Sequence, residues 1–470
     1  MFVQQFFVKG LAHSSYLLGG STSCAIIDPR RDTAIYIEAA REMGMKITHI
    51  LETHLHADFI SGHLDLAAKT GAVIYAPKAG KCAFKHTPVK QSDSFELEDM
   101  TISVLDTPGH TPEHVSYVVV DNSRGSDPVA VFCGDTLFVG DVGRPDLFPD
   151  IAAKLAAQLH DSLHKKLMFL PPFCTVYPAH GAGSLCGRAM GAMRASTIGY
   201  EKKYNTALKL KDKKKFIASL TTNMPPAPDH FSRCSAINGK GPALVEKLPC
   251  PARLEATEFK KGMSSKKTIV LDCRSTAAFG GGHVPGSYHI DFGSNFSTFA
   301  GWLLPPDMQI LLVAETPAQA LDAAVQLRRV GHDRVIGFLD GGIYEWAKAG
   351  LPVDTVPQIS VQQLQTQMQN REQFTLLDVR MPREFETGHI EGAVNIAMPE
   401  VRTRYSELDA GKPVIVVICN TGHRSSMATS LLRQRGIKHV LNVVGGMTAW
   451  ASAGLSDTCA ACMQLHGPQA

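Results

Sequence analysis

The chain has 470 residues, 44% of them apolar and 19% charged, with 47 Lys and Arg against 44 Asp and Glu. That mix excludes a disordered, collagen-like or coiled-coil protein and, at about 150 residues per domain, predicts about three domains. A formal charge of +3 makes no strong field for a polyanion, so no nucleic-acid partner is expected. No apolar run approaches the ~20 residues of a membrane helix. Met1 to Gly10 lacks the apolar core of a secretory signal, so none is expected there. Eleven cysteines are too sparse, and odd in number, for a disulfide framework, and a reducing, cytoplasmic setting without membrane association is expected.

The first ~245 residues read as short strands bracketed by turns. Tyr16-Leu17-Leu18-Gly19-Gly20 and Cys24-Ala25-Ile26-Ile27-Asp28-Pro29 predict hairpins feeding a sandwich. The apolar strand Ile47-Thr48-His49-Ile50-Leu51 runs into Thr53-His54-Leu55-His56-Ala57-Asp58, three metal-ligand side chains within five residues. Thr107-Pro108-Gly109-His110, Cys133-Gly134-Asp135 and Tyr177-Pro178-Ala179-His180-Gly181 follow, each after a short apolar run. One such histidine would be read as structural. Four segments leaving strand ends in this order point to one metal centre.

These motifs resemble the metallo-β-lactamase fold over about residues 1 to 245, which implies an αβ/βα sandwich with metal at one edge. Phe59 stands where the two-metal members carry His. A phenyl ring cannot ligate, so a single ion is expected. His54, His110 and Asp135 make a two-His-one-carboxylate set that suits Fe(II) and oxygen chemistry, and the same residues could hold Zn(II) with a hydrolytic water. The stretch from Thr53 to Gly62, with Gly143-Arg144-Pro145-Asp146, resembles the persulfide dioxygenase branch of this superfamily. That resemblance implies iron on His54, His110 and Asp135, one ion in this domain, with His56 and Asp58 in the outer shell. His180 belongs to the lost second site, where pocket lining and a structural hydrogen bond are both open. Arg144 could clamp a carboxylate of a thiol such as glutathione, or sit in an ordinary ion pair. Cys186, six residues beyond His180, is read as a buried, inert thiol, with a pocket thiol as the alternative.

Tyr200 to Ala256 is rich in Lys and Pro, and its Lys211-Asp212-Lys213-Lys214-Lys215 cluster reads as a solvated helix face. A boundary near residue 250 follows. Beyond it the chain repeats. Leu271-Asp272-Cys273-Arg274 returns as Leu377-Asp378-Val379-Arg380, and His283-Val284-Pro285-Gly286 as His389-Ile390-Glu391-Gly392. Gly341-Gly342 with Trp346 returns as Gly445-Gly446 with Trp450. Each copy alternates β-branched strands, such as Val414 to Ile418, with amphipathic stretches such as the helix expected over Ser426 to Arg435. Alternation of this kind predicts an α/β domain built on a parallel sheet.

In the second copy, Ile418-Cys419-Asn420-Thr421-Gly422-His423-Arg424-Ser425-Ser426 joins a strand to a helix. A thiol among backbone N–H groups at the positive end of a helix is favoured as thiolate, and therefore as nucleophile. Arg424 adds a fixed cation, and Gly422 lets the loop curl. Cys-x-x-Gly-x-Arg, with Asp378 and Arg380, His389 to Gly392 and Gly445-Gly446, resembles the rhodaneses, the sulfurtransferases, over residues 357 to 456. It implies a persulfide on Cys419, stabilised by Arg424 and the loop, with Gly422, His423 and Ser425 touching the substrate. In the first copy Ala314 stands opposite Cys419, so that copy reads as a non-catalytic rhodanese with a scaffold or docking role. Cys273 takes the strand position of Val379 and reads as core. Cys459 and Cys462 form a lone pair on a tail expected to be flexible.

The expected organisation is therefore a metallo-β-lactamase-like domain over 1–250, a non-catalytic rhodanese-like domain over 251–355, an active one over 356–456, and a tail over 457–470. This order resembles the fused enzymes of sulfide detoxification. It implies oxidation of a thiol persulfide, of glutathione or coenzyme A, by O2 to sulfite and thiol, joined to sulfur transfer linking persulfide, sulfite and thiosulfate. A zinc-dependent glyoxalase II-like thioester hydrolase fused to a sulfurtransferase is the alternative, and a non-enzymatic sulfur carrier ranks below both. Assembly into a homo-oligomer is left open.

Overall fold

The computed structural model describes residues 1–187, 190–222, 224, 227–228, 230–293, 295–408 and 414–455. The expected tail and the Cys459/Cys462 pair lie outside these residues. The chain divides into two compact units, Met1–Leu248 and the residues from Pro249 onward, with Arg328–Gly331 grouped with the first. Among the described residues no helix is long and apolar enough to cross a membrane.

The first unit is built on two six-stranded sheets. One runs β1 (Phe2–Val8), β2 (His13–Gly19), β3 (Ser23–Ile27), β4 (Lys46–Leu51), β5 (Val73–Pro77) and β6 (Thr87–Val89), in that spatial order. The other holds β7 (Ser94–Leu97), β8 (Met100–Asp106), β9 (Val115–Asp121), β10 (Pro128–Gly134), β11 (Thr175–Pro178) and β12 (Ser196–Thr197), its order running from β12 back to β7. The expected hairpins are present: β1, β2 and β3 pair antiparallel.

Side-chain alternation explains why these strands are buried on both faces. Tyr16 and Leu18 of β2, Met100, Ile102 and Val104 of β8, and Ala130 and Phe132 of β10 meet in the core between the sheets. Their sequence neighbours point the other way. Leu17 and Ile26 pack with Tyr36, Ala39 and Ala40 of the helix Ala34–Glu42. Val131 and Cys133 pack with Leu159 and Leu163 of the helix Ala152–Lys165. Each side chain of Leu or Phe size so buried contributes about 1.5–3 kcal/mol. The result is the αβ/βα sandwich expected from the motifs. Asp212 caps the helix Lys213–Thr221, accepting from the Lys215 N–H at 2.8 Å, so the lysine cluster stands at a helix start.

The second unit holds two five-stranded parallel sheets of the same topology. In the first copy β13 (Ala252–Leu254), β14 (Thr268–Asp272), β15 (Ser287–His289), β16 (Gln309–Val313) and β17 (Val335–Leu339) lie in the order β13-β17-β16-β14-β15. In the second, β18 (Gln358–Ile359), β19 (Thr375–Asp378), β20 (Val394–Asn395), β21 (Ile415–Ile418) and β22 (Val440–Val443) repeat it as β18-β22-β21-β19-β20. The recurring residues are framework. Trp346 and Trp450 fill matching places in the two cores. Arg274 grips Asp272 and the Gly282 carbonyl, as Arg380 grips Asp378 and the Gly388 carbonyl. Cys273 is buried at the end of β14, as the core reading expects.

Candidate active sites

In the first unit the candidate ligands leave neighbouring strand ends. His54 follows β4, His110 follows β8, Asp135 follows β10 and His180 follows β11, so strand order alone gathers them at one sheet edge. His54, His110 and Asp135 each offer one ligand atom, all within 4.8 Å of one another. Nε2 of His110 is 3.3 Å from Asp135 Oδ2, and Nε2 of His54 is 3.8 Å from it.

Each ligand is held from behind. His54 Nδ1–H donates to Thr53 Oγ1 at 2.9 Å, and that hydroxyl donates to Asp28 Oδ2 at 2.9 Å. His110 Nδ1–H donates to the Arg144 carbonyl at 2.8 Å. Both contacts fix the tautomer with Nε2 bare, and His110 Nε2 is buried with no hydrogen-bond partner. Burial pushes both imidazoles below their ordinary pKa, toward the neutral form that ligates. Donor types and the bare nitrogen fit a divalent metal ion.

Asp135 is set by a residue the sequence reading did not single out. Its backbone N–H donates to His114 Nε2 at 2.9 Å, and His114 Nδ1 lies 3.0 Å from Thr107 Oγ1. Burial pushes His114 down to about 3. Gly134 has φ +51°, and a Cβ there would strike His114 Nε2, so this position needs glycine.

His56 and Asp58, expected in the outer shell, and His180, expected at the lost second site, surround this set. His180 Nδ1 is 2.7 Å from Asp135 Oδ1, and its Nε2 is 2.9 Å from Asp58 Oδ2. Burial disfavours the charged imidazole, but Asp135 and Asp58 outweigh it and hold His180 well above its ordinary pKa. Burial likewise would raise Asp135, yet His180 holds that carboxyl below its usual range. His56 Nε2 lies 3.2 Å from Asp28 Oδ1. Phe59 is fully buried, its ring 4.5 Å from that of His56 and 4.0 Å from that of His13. His13, also absent from the sequence reading, opens β2, a strand whose seven residues are all buried.

Arg144 takes the ion-pair alternative. Its Nε and Nη2 hold both oxygens of Asp146 at 2.7 and 2.6 Å, and Nη1 donates to the Leu185 carbonyl. Nearby is a cavity of about 540 Å³ lined by Leu55, Ala57, Thr111, Leu147, Phe148 and Phe231, among others. Cys186 is buried, as expected, but lies within 4.8 Å of ligand atoms of Asp135 and His180.

In the second unit Cys419 follows β21, and the next helix runs His423–Gln434, three residues earlier than the expected start. Gly422 caps it with φ +100°, a conformation that turns its N–H onto Cys419 Sγ at 3.1 Å. Ser425 Oγ lies 3.4 Å from the same sulfur. The loop is pinned from the next helix: Met447 N–H donates to the Cys419 carbonyl and Thr448 N–H to that of Asn420. A Cβ on Gly446 would strike the Cys419 carbonyl, which explains the Gly-Gly motif. Arg424 is oriented by Glu384, with two bonds of 2.7 Å. His423 turns to Asp291 of the first copy, its Nδ1 3.2 Å from Oδ2. In that copy Ala314 follows β16 where Cys419 follows β21. Asp291, Asn295, Phe299 and Trp302 of the Cys-less copy share a cavity of about 370 Å³ with Asn420, His423 and Arg424.

The family models agree with this geometry. The metallo-beta-lactamase superfamily matches residues 8–180, and the rhodanese-like domain matches 255–349 and again 360–453. The chain belongs to the metallo-beta-lactamase superfamily and joins to that fold two rhodanese-like domains, the first without the cysteine. Among curated proteins it is 32% identical over 183 residues to the mitochondrial persulfide dioxygenase of Mus musculus, covering 38% of this chain and 67% of that one. It is 36% identical over 160 residues to a hydroxyacylglutathione hydrolase of Rhodospirillum rubrum, covering 34% of this chain and 57% of that one. The chain thus spans a little over half the length of that hydrolase. A solved structure titled as a metallo-beta-lactamase from Staphylococcus aureus is 34% identical, with a TM-score of 0.66 over 72% of this chain and 99% of that one.

Proposed function

We propose that the first unit oxidises a low-molecular-weight thiol persulfide with O2 at a single Fe(II) on His54, His110 and Asp135, and that the second transfers sulfane sulfur through Cys419. The overall balance is RSSH + O2 + H2O giving RSH and sulfurous acid, ionised as sulfite; the persulfide supplies four electrons to O2. The observation that carries this over other uses of the fold is the Cys419 loop in the same chain, a second centre suited to sulfane sulfur. Relatives of both persulfide dioxygenase and hydroxyacylglutathione hydrolase type support the fold's chemistry in general.

Held by His54, His110 and Asp135, Fe(II) would supply the redox chemistry between persulfide sulfur and O2. The chain's own residues prepare that place. Thr53 and the Arg144 carbonyl keep Nε2 of both histidines aimed inward. Phe59 and His13 close one side, their rings in tilted contact with centroids 4.0 Å apart. The cavity beside Leu55 and Phe231, whose lining among the described residues carries no charged side chain, receives the carbon portion of the thiol carrier.

In the second unit Cys419 Sγ attacks the outer sulfur of the donor. The new bond is Cys419 Sγ–S, and the bond that breaks releases sulfite from thiosulfate or a thiol from a persulfide. Gly422 N–H and Ser425 Oγ donate to the sulfur, and Arg424, held by Glu384, offsets the anionic charge. Tethering raises the effective concentration of an intermediate used by both centres.

The deciding measurement is oxygen uptake by full-length protein loaded anaerobically with iron and given glutathione or coenzyme A persulfide. Uptake that vanishes in His110→Ala and persists in Cys419→Ser is expected. No uptake with verified iron overturns the reading. The hydroxyacylglutathione hydrolase relatives favour one second reading, a zinc-dependent thioester hydrolase, which predicts release of glutathione from its thioester by the zinc form.

A further inference from the structure

The cavity of about 370 Å³ at the Cys419 loop is walled by both rhodanese-like copies, with Asn420, His423 and Arg424 on one side and Asp291, Phe299 and Trp302 on the other. Across it runs a pair that neither copy could make alone. His423 Nδ1 lies 3.2 Å from Asp291 Oδ2. At the spacing of the repeat, Ala318 stands opposite His423 and Ala397 opposite Asp291. The pair is therefore no part of the framework that the copies share.

Its geometry is that of a base and the group that orients it. A carboxylate only accepts, so Nδ1 carries the proton and Nε2 is the basic nitrogen. Among the described residues His423 makes one side-chain hydrogen bond, through Nδ1, and its side chain is 52% exposed. Nε2 is thus left for a molecule in the cavity. Asp291 is itself fixed, accepting from the Thr276 N–H at 3.0 Å. The strand before it is fastened to the helix that starts at His423: Ser426 Oγ donates to Nδ1 of the buried His289 at 2.8 Å, and the His289 N–H donates to Ser430 Oγ at 3.0 Å. His289 Nε2–H is taken by the Arg274 carbonyl, and Arg424 is turned to Glu384. Asp291 is therefore the charged group bonded to His423. That hydrogen bond, against burial, raises His423 above its ordinary pKa, toward the range where a base serves best near neutral pH.

We infer that His423, positioned by Asp291, is the general base that takes the proton from a thiol acceptor as that thiol collects the sulfane sulfur from Cys419, so that the Cys-less copy completes the active site of the other. The inference rests on the reading of Cys419 as the sulfur-carrying nucleophile. An acceptor R′SH gives its proton to His423 Nε2 while its sulfur attacks the outer sulfur of the Cys419 persulfide. The R′S–S bond forms, the Cys419 Sγ–S bond breaks, and that electron pair stays on Sγ. The products are R′SSH, the Cys419 thiolate and protonated His423, which returns its proton to solvent. Phe299 and Trp302, with ring centroids 5.2 Å apart, take the acceptor's carbon portion. Sulfite arrives as an anion with no such proton to lose, so the two acceptors separate a base from a structural pair.

The test is single-turnover discharge of the full-length protein, charged on Cys419 with thiosulfate, freed of excess donor and kept anaerobic so that no O2 oxidation competes. Glutathione and sulfite are compared as acceptors at about pH 7.5, where an ordinary thiol is mostly protonated. Intact-mass spectrometry follows loss of the sulfur atom. In His423→Gln the ratio of the glutathione rate to the sulfite rate is expected to fall about 100-fold, a common contribution of a positioned base. Asp291→Asn lowers the ratio less and moves the acid limb of the glutathione rate to lower pH, because the imidazole loses the carboxylate that raises it. A ratio kept in His423→Gln, two rates that fall together, or an acid limb that stays in place in Asp291→Asn overturns the inference and leaves Cys419 as the carrier. A native chain that takes no sulfur onto Cys419, or yields none to sulfite, overturns the underlying reading and the inference with it.

Discussion

The imidazole of His110 donates from Nδ1 to the main-chain carbonyl of Arg144 at 2.8 Å. The arginine that the sequence offers as a clamp for a substrate carboxylate thus meets the metal centre through its backbone, while its guanidinium is spent on Asp146 and the Leu185 carbonyl. Arg144→Ala removes one partner of a largely buried pair, and a loss of about 3 kcal/mol in unfolding free energy is expected. The KM for a glutathione persulfide should rise no more than that for a carrier without carboxylates. Urea denaturation and paired KM values check this. A KM effect confined to glutathione, with stability kept, would restore the clamp.

Thr53 relays Asp28 to His54, so its hydroxyl rather than its bulk matters. Thr53→Val keeps the shape and deletes both hydrogen bonds. Metal affinity at the first site is expected to fall about 10–100-fold, the usual cost of losing an outer partner of a ligating histidine. Competition against a calibrated chelator reads it directly. Unchanged affinity would mean that the Asp28–Thr53 relay does not set the tautomer.

Sulfur transfer should be confined to the second copy and resist transplantation. Cys419→Ser is expected to abolish it. Arg424→Lys exchanges a two-point grip on Glu384 for a single point, and a fall of at least tenfold is expected. Ala314→Cys in the first copy should gain nothing. Pro317 stands there where Gly422 stands in the second, and proline has neither an N–H for the sulfur nor access to positive φ. Release of sulfite from thiosulfate in the presence of a thiol acceptor reports all three, and activity in Ala314→Cys carrying Cys419→Ser would refute the account.

The His423–Asp291 pair gives the second unit a pH signature. The hydrogen bond from Asp291, and then its charge, raise His423 above 6.5. That stabilisation is complete below 6.5 and is lost as pH climbs through the raised value. Burial would raise Asp291, but His423 and the Thr276 N–H hold it below 3.8. Its share is complete above 3.8 and is lost as pH falls through the lowered value. The melting-temperature gap between the native chain and Asp291→Asn should therefore be widest at about pH 5–6 and close at about pH 8–9, above the histidine range. A gap independent of pH would show that the pair contributes only packing.

The candidate site residues of this protein lie on short, contiguous segments, and those segments were legible. His54, His110, Asp135, His180 and Cys419 each follow an apolar run, and a strand end is where a side chain can leave the sheet and join others. Trp346 and Trp450, with Arg274 and Arg380, marked the repeat because each has one structural task that every copy must perform. What escaped was held by residues of unremarkable pattern. His114 supports Asp135 from within the motif region, and His13 opens a strand far upstream. Neither carries a spacing that sets it apart from a core histidine.

The sequence by itself determined the sandwich, the two parallel-sheet copies and the ligand types, because strand periodicity and local motif chemistry are read along the chain. Only the tertiary structure decided which partners those residues have. It turned Arg144 away toward Asp146, gave His423 to Asp291, and brought Cys186 beside Asp135 and His180. Each of those contacts is set by how loops from separate strand ends converge, and distances across a fold are not encoded in the spacing of any one segment.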